Sequence, residues 1–293
     1  MGRQGVDPPV SDLGPVDPGH AGEAAWLRRW RLRPDGDPTT TASSTLMPVR
    51  TELGEPAMLK LAHTEEEVRG ADLLAALDGR GAARVLQRNG AAVLLERATG
   101  SRNLVRMAEG GEDDEATRVI CEAADRIHRA SADVLDAEDS PELVELTTWF
   151  RHLFADADGL GDFHRRGADV AAALLDDPRE PVVLHGDLHH GNVLDFGDRG
   201  WLAIDPKGLL GEADFDACNL LCNPSHEWAL RPGRLDRQFG VVVDATGLDP
   251  ARLADWLVAW CALSSTWFAL DDDPRLADSA AAIGELALGL GVR

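Results

Sequence analysis

Val182-Val-Leu-His-Gly-Asp-Leu-His-His-Gly-Asn-Val-Leu194, then a short turn, then Trp201-Leu-Ala-Ile-Asp-Pro-Lys207, is the stretch on which the fold turns. Apolar runs bound each polar cluster. This predicts short buried strands at 182–184, 193–195 and 201–204, with the polar residues on the loops between them. Asp187 stands five residues before Asn192, and Asp205 stands thirteen beyond that. A carboxylate, an amide and a second carboxylate are thus each delivered from the end of an apolar segment.

That order suits phosphoryl transfer. An alcohol has a pKa far above 7, so a carboxylate such as Asp187 helps by orienting the hydroxyl and accepting its proton late. Asn192 offers a neutral oxygen and Asp205 an anionic one, the hard ligands that Mg²⁺ takes when phosphates and water complete its shell. His185 is expected to brace the loop by hydrogen bonds, and Gly191 to let the backbone turn before Asn192. A rival reading gathers His185, Asp187, His189 and His190 into a zinc or iron cluster. Alternate residues of an extended loop face opposite ways, however, and that reading leaves Asn192, Asp205 and Lys60 without a role.

Lys60 lies in Ala57-Met-Leu-Lys-Leu61, a strand whose neighbours point to a core. A buried ammonium needs anionic partners. ATP phosphates and a glutamate of the next helix would supply them, the candidates being Glu66 and Glu67. Only Lys60 and Lys207 are lysines in an arginine-rich chain, which makes each one conspicuous.

The 293 residues suffice for one large or two modest domains, and a hydrophobic fraction of 44% fits a globular protein. No run of 18 apolar residues appears, so no membrane span is expected. The net charge of −22, from 51 acidic and 29 basic residues, disfavours nucleic acid and anionic membrane as partners. It suits a cationic small-molecule acceptor. Four cysteines without CxxC spacing, Cys121, Cys218, Cys222 and Cys261, read as buried free thiols in a reducing cytoplasm. Residues 1–22, rich in Gly, Pro and Asp, read as a disordered leader with no signal-peptide core.

Residues 23–98 read as a mixed region. A short amphipathic helix opens it, and strands lie at Leu46–Val49, Pro56–Leu61, Val85–Gln87 and Ala92–Glu96. A helix over 64–78 is capped by Thr64, carries three glutamates in its first turn, and is stopped by Gly79 and Gly81. Residues 97–103 form the natural hinge. Residues 99–293 read as mainly helical, with helices over 114–130, 141–158, 165–177, 249–270 and 274–290.

Together these residues resemble the aminoglycoside phosphotransferase superfamily, and within it the streptomycin 6-kinase and hydroxyurea phosphotransferase branch. The carrying segments are Met58-Leu-Lys-Leu61, Gly79-Arg-Gly-Ala-Ala-Arg-Val-Leu86, Leu94-Leu-Glu-Arg97, His185 to Leu194, Trp201 to Pro206, and 208–221. The resemblance spans about 35–270. It implies an α+β, protein-kinase-like fold of two lobes, a small β-rich N-lobe (23–98) and a larger, mainly α-helical C-lobe (99–293).

By that resemblance Asp187 is the catalytic base, Asn192 and Asp205 bind Mg²⁺, and Lys60 contacts ATP phosphates. Ser43 and Ser44 fall on the nucleotide loop, and Glu96 and Ala98 at the hinge would meet adenine. Asp216 matches an acidic position after the metal site. Trp256, Trp260 and Trp267 share one helix face, and with Asp271, Asp272 and Asp273 they fall where relatives build an acceptor cleft. Two departures stand out: relatives carry a helix glutamate near position 70, where this chain has Gly70, and the nucleotide loop lacks a glycine. An aminoglycoside of the streptomycin type is the leading acceptor. Another hydroxylated metabolite, an amino sugar or hydroxyurea is the alternative, and a nucleotide-binding pseudokinase belongs to a different class.

Overall fold

The computed structural model describes residues 22–291, so the expected leader lies outside the described residues but for Gly22. The N-terminal region runs α1 (Glu23–Arg29), β1 (Arg33–Pro34), β2 (Thr39–Thr40), β3 (Ser44–Arg50), β4 (Pro56–Ala62), α2 (Glu65–Leu77), β5 (Val85–Asn89) and β6 (Ala92–Glu96). Its strands form one antiparallel sheet in the order β1-β3-β4-β6-β5, with β2 also on β3. Two-residue alternation sorts the side chains. Ala57, Leu59 and Leu61 of β4 and Ala92 and Leu94 of β6 bury against Trp26 of α1. Val93 and Leu95 turn the other way, into a core shared with Leu73, Leu74 and Leu77 of α2. Lys60 pairs with Val93 in the ladder and therefore faces α2.

The helix expected over 64–78 forms as read. The Thr64 hydroxyl accepts from the Glu67 amide, and Asp78 closes the helix in a left-handed conformation before Gly79. The segment after it docks on the other half of the molecule: the Ala83 amide donates to Ala203, and the Ala203 amide to Gly81.

The C-terminal region continues α3 (Leu104–Met107), α4 (Asp113–Arg129), α5 (Ser131–Leu135), β7 (Val144–Glu145), α6 (Leu146–Trp149), α7 (Arg151–Leu160), α8 (Asp162–Asp176), β8 (Val182–Leu184), β9 (Val193–Asp195), β10 (Trp201–Ala203) and β11 (Leu209–Gly211). It ends with α9 (Asp214–Cys222), α10 (His226–Ala229), α11 (Arg234–Thr246), α12 (Pro250–Leu270) and α13 (Pro274–Ala287). The helix expected over 141–158 is broken into α6 and α7 behind the short β7. The sequence reading lacked α9 and α11. The result is a mixed α+β fold, β-rich at the N-terminal end and helical at the C-terminal end.

Helix α12 is the centre of the helical part. It is long and apolar enough to cross a membrane, yet 78% of its most apolar window is buried by α7, α8, α9 and α13. Close approach there depends on small residues. A methyl group at Gly167 of α8 would overlap the Ala262 side chain, and one at Gly284 of α13 would overlap Phe163. Gly167→Ala should therefore destabilise the protein by about 1–3 kcal/mol through overpacking, despite the ~1 kcal/mol by which alanine outranks glycine in a helix. Urea unfolding of the two proteins checks this.

Candidate active site

Two small ladders assemble the site. Strands β9 and β10 pair antiparallel with Ala203 opposite Val193, so the thirteen-residue spacing is a hairpin. It places Asn192 beside Ile204, whose amide donates to the Asn192 carbonyl at 2.8 Å. Strands β8 and β11 pair with Leu184 opposite Leu209, and the Lys207 amide donates to the His185 carbonyl at 2.7 Å. The loop 185–192 is thus pinned at both ends beside the turn carrying Asp205.

His185 braces this loop from within. Its Nδ1 accepts the Asp187 amide at 3.2 Å, so its Nε2 carries the proton and donates to the Ile204 carbonyl at 2.8 Å. Burial pushes its pKa down, which keeps the ring neutral. Gly191 lies in the expected tight turn before Asn192, whose amide donates to the His189 carbonyl at 3.0 Å, and Gly186, with φ of +83°, turns the loop at its start. The His189 ring also lies where a side chain at Gly191 would be.

Asp216, on α9, holds the start of the loop. Its carboxylate accepts the His185 amide at 2.9 Å, the Gly186 amide at 2.7 Å and His128 Nε2 at 2.9 Å. Burial alone would raise its pKa, but His128 and these hydrogen bonds hold it below the ordinary value. Asp216 is therefore a buried brace and not an acceptor contact.

Asp187 is buried, and both oxygens of its carboxylate receive amide hydrogens. Asn192 Nδ2 donates to Oδ2 at 3.0 Å and to the Asp187 carbonyl at 2.9 Å; Asn219 Nδ2 donates to Oδ1 at 2.7 Å. His189 Nε2 lies 3.9 Å from Oδ1. With Nδ2 engaged twice on Asp187, the Asn192 amide leaves its oxygen unspent on that residue. Asn219 escaped the sequence reading; only its place one helical turn after Asp216 pointed to it.

Asp205 adopts a left-handed backbone with φ of +62°, a conformation that aspartate tolerates better than most residues. Lys60 Nζ bridges the Asp205 and Glu67 carboxylates. Burial alone would raise the Asp205 pKa, but Lys60 and Lys207 hold it well below the carboxylate range. Burial would likewise lower the Lys60 pKa, and Asp205 and Glu67 together raise it. The Asp205 side chain keeps 38% of its surface exposed, next to Ile204, whose amide is bonded to the Asn192 carbonyl. The pair of Asp205 and Asn192 suits a hard divalent cation whose remaining ligands come from phosphate and water.

The other expected residues sort as follows. Glu66 pairs with Lys207 at 2.8 Å and not with Lys60, whose helix partner is Glu67. A side chain at Gly70 would run into the Pro206 carbonyl, which explains why no glutamate stands there. Ser44 is buried and its amide donates to Thr41 Oγ1 at 3.1 Å; Ser43 stays near the hairpin tip, its hydroxyl 3.3 Å from Thr41 Oγ1. Glu96 ends β6, accepting the Arg84 amide at 2.7 Å and pairing with Arg199. Ala98 packs with Leu194 and Ile204 on a small apolar cluster of Ala83, Phe196 and Leu202.

Trp256, Trp260 and Trp267 are core residues. Trp256 packs against Phe150 and Phe215 and donates to Glu212 at 2.9 Å, while Trp267 stands edge-on to Trp149 and donates to His152 at 3.0 Å. Their shared face points inward, so they are not an acceptor wall. Asp271 and Asp272 lie exposed after α12, and Asp273 caps α13.

Among the described residues no group of three or more His, Cys, Asp or Glu side chains is placed to hold a metal, which removes the histidine-cluster reading. The four cysteines are free and buried, as expected, with burial pushing the Cys121 thiol up to about 12.

The fold resembles a crystal structure of a thermostable variant of aminoglycoside phosphotransferase APH(4)-Ia, in ternary complex with AMP-PNP and hygromycin B. The TM-score is 0.65 at 14% identity, covering 92% of this chain and 98% of that one. The model of the aminoglycoside/hydroxyurea antibiotic resistance kinase family matches residues 29–272, and the chain belongs to that family. It is therefore a small-molecule kinase, a nucleotide-using phosphotransferase with a hydroxyl acceptor. It is 46% identical to streptomycin 3''-kinase of Klebsiella pneumoniae over 250 residues, 83% of this chain and 90% of that protein. It is 32% identical to hydroxyurea phosphotransferase of Kitasatospora aureofaciens, over 91% of this chain and 78% of that protein.

The brace can be tested apart from catalysis. Asp216→Asn leaves one loop amide without its acceptor and should cost about 1–3 kcal/mol at neutral pH. Because the folded pKa lies below the ordinary 3.8, the carboxylate's contribution is present above that pH and is lost as the pH falls through the lower folded value. Urea unfolding should show the gap between the two proteins narrowing in acid.

Proposed function

We propose that this protein transfers the γ-phosphoryl group of ATP to the 3''-hydroxyl of streptomycin, with Asp187 as the base. The observation that carries the acceptor is the 46% identity to streptomycin 3''-kinase across 90% of that protein. The net charge of −22 agrees with a polycationic acceptor. Hydroxyurea is the second reading, favoured by the 32% identity to a hydroxyurea phosphotransferase.

The residues support a direct in-line transfer. The acceptor hydroxyl forms its bond to the γ-phosphorus, its proton passes to an Asp187 oxygen, and the bond to the bridging oxygen breaks to leave ADP. Asn192 Oδ1 and Asp205 would hold Mg²⁺, which when bound neutralises charge on the phosphates. Lys60, fixed by Glu67, would meet the phosphates from the sheet side, and Ser43 would approach them at the hairpin. The segment after Glu96, with Ala98 packed on the same apolar cluster as Leu194 and Ile204, would meet adenine through its main chain. We place the division between a nucleotide-binding lobe (23–98) and a catalytic lobe (99–293) at the end of β6. The need for ATP and the free buried cysteines agree with a cytoplasmic enzyme.

Two measurements test this. ATP consumption across streptomycin, other aminoglycosides, amino sugars and hydroxyurea, with mass spectrometry for one added phosphoryl group, should give product with streptomycin. NMR of that product should locate the phosphate on the 3''-oxygen. Separately, Asp187→Asn should lower kcat by about 10²–10⁴-fold, the range of a general base, while thermal stabilisation by MgATP stays near that of the wild type. Wild-type turnover by this variant would remove Asp187 as the base.

A further inference from the structure

Asn219 and Asn223 form a buried amide relay that ends on Asp187. Asn219 Nδ2 donates to Asp187 Oδ1 at 2.7 Å. Asn223 Nδ2 donates in turn to Asn219 Oδ1 at 2.9 Å and to the Asn219 carbonyl at 3.0 Å. The Asn223 carbonyl accepts from Arg234 Nη2 at 2.8 Å, and Arg234 is anchored on Asp113 at 2.7 and 3.0 Å. Both asparagines are buried, so water cannot readily substitute for a lost donor.

We propose that Asn219 is a positioning residue for the transfer reaction, oriented by Asn223, that holds the Asp187 carboxylate at the angle from which it meets the acceptor hydroxyl. This rests on the reading of Asp187 as the base. The terminal torsion of an aspartate is broad and roughly two-fold, so packing alone defines the carboxylate plane poorly. Two donors on two oxygens define it: Asn192 from the loop at 3.0 Å and Asn219 from α9 at 2.7 Å. An amide also holds the anion without placing a full positive charge beside it, as lysine or arginine would. Asn223 makes the arrangement one-way. By occupying Asn219 Oδ1 it prevents the flipped amide, which would set oxygen against oxygen at Asp187.

Steady-state kinetics with MgATP and streptomycin tests this on Asn219→Leu, which keeps the volume and removes the donor. The kcat should fall by about 10–100-fold, the scale of a misplaced reacting group, with the KM for ATP within about twofold of wild type. Asn223→Ala should lower kcat in the same direction by a smaller factor. A kcat within twofold of wild type for Asn219→Leu overturns the proposal. So does a KM for ATP that rises as kcat falls, because that marks general damage to the site. Should leucine prevent folding, Asn219→Ala removes the donor with a smaller side chain and no added charge, and the same outcomes apply. A crystal structure of the folded variant gives a readout that needs no acceptor. The Asp187 carboxylate should rotate out of its wild-type plane, and an unchanged carboxylate overturns the proposal. Asp187→Asn separates the two claims: activity there sinks the reading of the base, whereas an inactive Asp187→Asn beside an unimpaired Asn219→Leu sinks this inference alone.

Discussion

The two lysines of this chain end on adjacent glutamates of one helical turn, Lys60 on Glu67 and Lys207 on Glu66, and both act on Asp205. All four of these lysine and glutamate side chains are buried. Replacing such a cluster with apolar residues is often neutral or stabilising by about 1–4 kcal/mol, whereas removing one member costs about 3–5. Stability alone therefore does not account for it. Position does: the cluster joins the central strand β4, the first turn of α2 and the turn after β10 at one point. Shifting any one of the three would leave a buried charge without its partner.

The rest of the site follows from that register. Thr64 starts α2 where Glu66 and Glu67 reach the lysines, and Gly70, one turn on, lets the helix meet the Pro206 carbonyl. A glutamate at position 70 could not occupy that place, so the ion pair stands one turn nearer the helix start. On the other side of the hairpin, Asp216 gathers the amides of His185 and Gly186, and His185 reaches across to Ile204. The turn bearing Asp205 is thus held from the sheet side by charge and from the helical side by hydrogen bonds.

Much of this was legible in the sequence, for physical reasons. Strands 92–96, 182–184 and 193–195 were read to the residue because their apolar runs stop abruptly at polar residues or turns. The Thr64 cap and its acidic turn are local chemistry. Helix α9 escaped because all nine of its residues are buried, so it shows no polar face and no period. Helix α11 was readable in principle, with Leu235, Phe239 and Val242 between Gly233 and Gly247. The tryptophan face of α12 was read correctly as a face, but period cannot say which side of an all-round buried helix meets a ligand. The choice between Glu66 and Glu67, and the role of Asn219, depend on tertiary register and leave no mark in spacing.

The two carboxylates Asp187 and Asp205 acquire different surroundings here. Asp205 sits among ammonium groups that keep it ionised, with part of its side chain exposed. Asp187 is oriented by side-chain amides on each oxygen, which fix direction while adding no net charge. Asn192 links the two: its side-chain nitrogen is spent on Asp187, and its carbonyl takes the amide of Ile204, the residue before Asp205. On the proposed roles, one residue would thereby tie the geometry of the base to that of the cation's ligands, as a direct transfer needs.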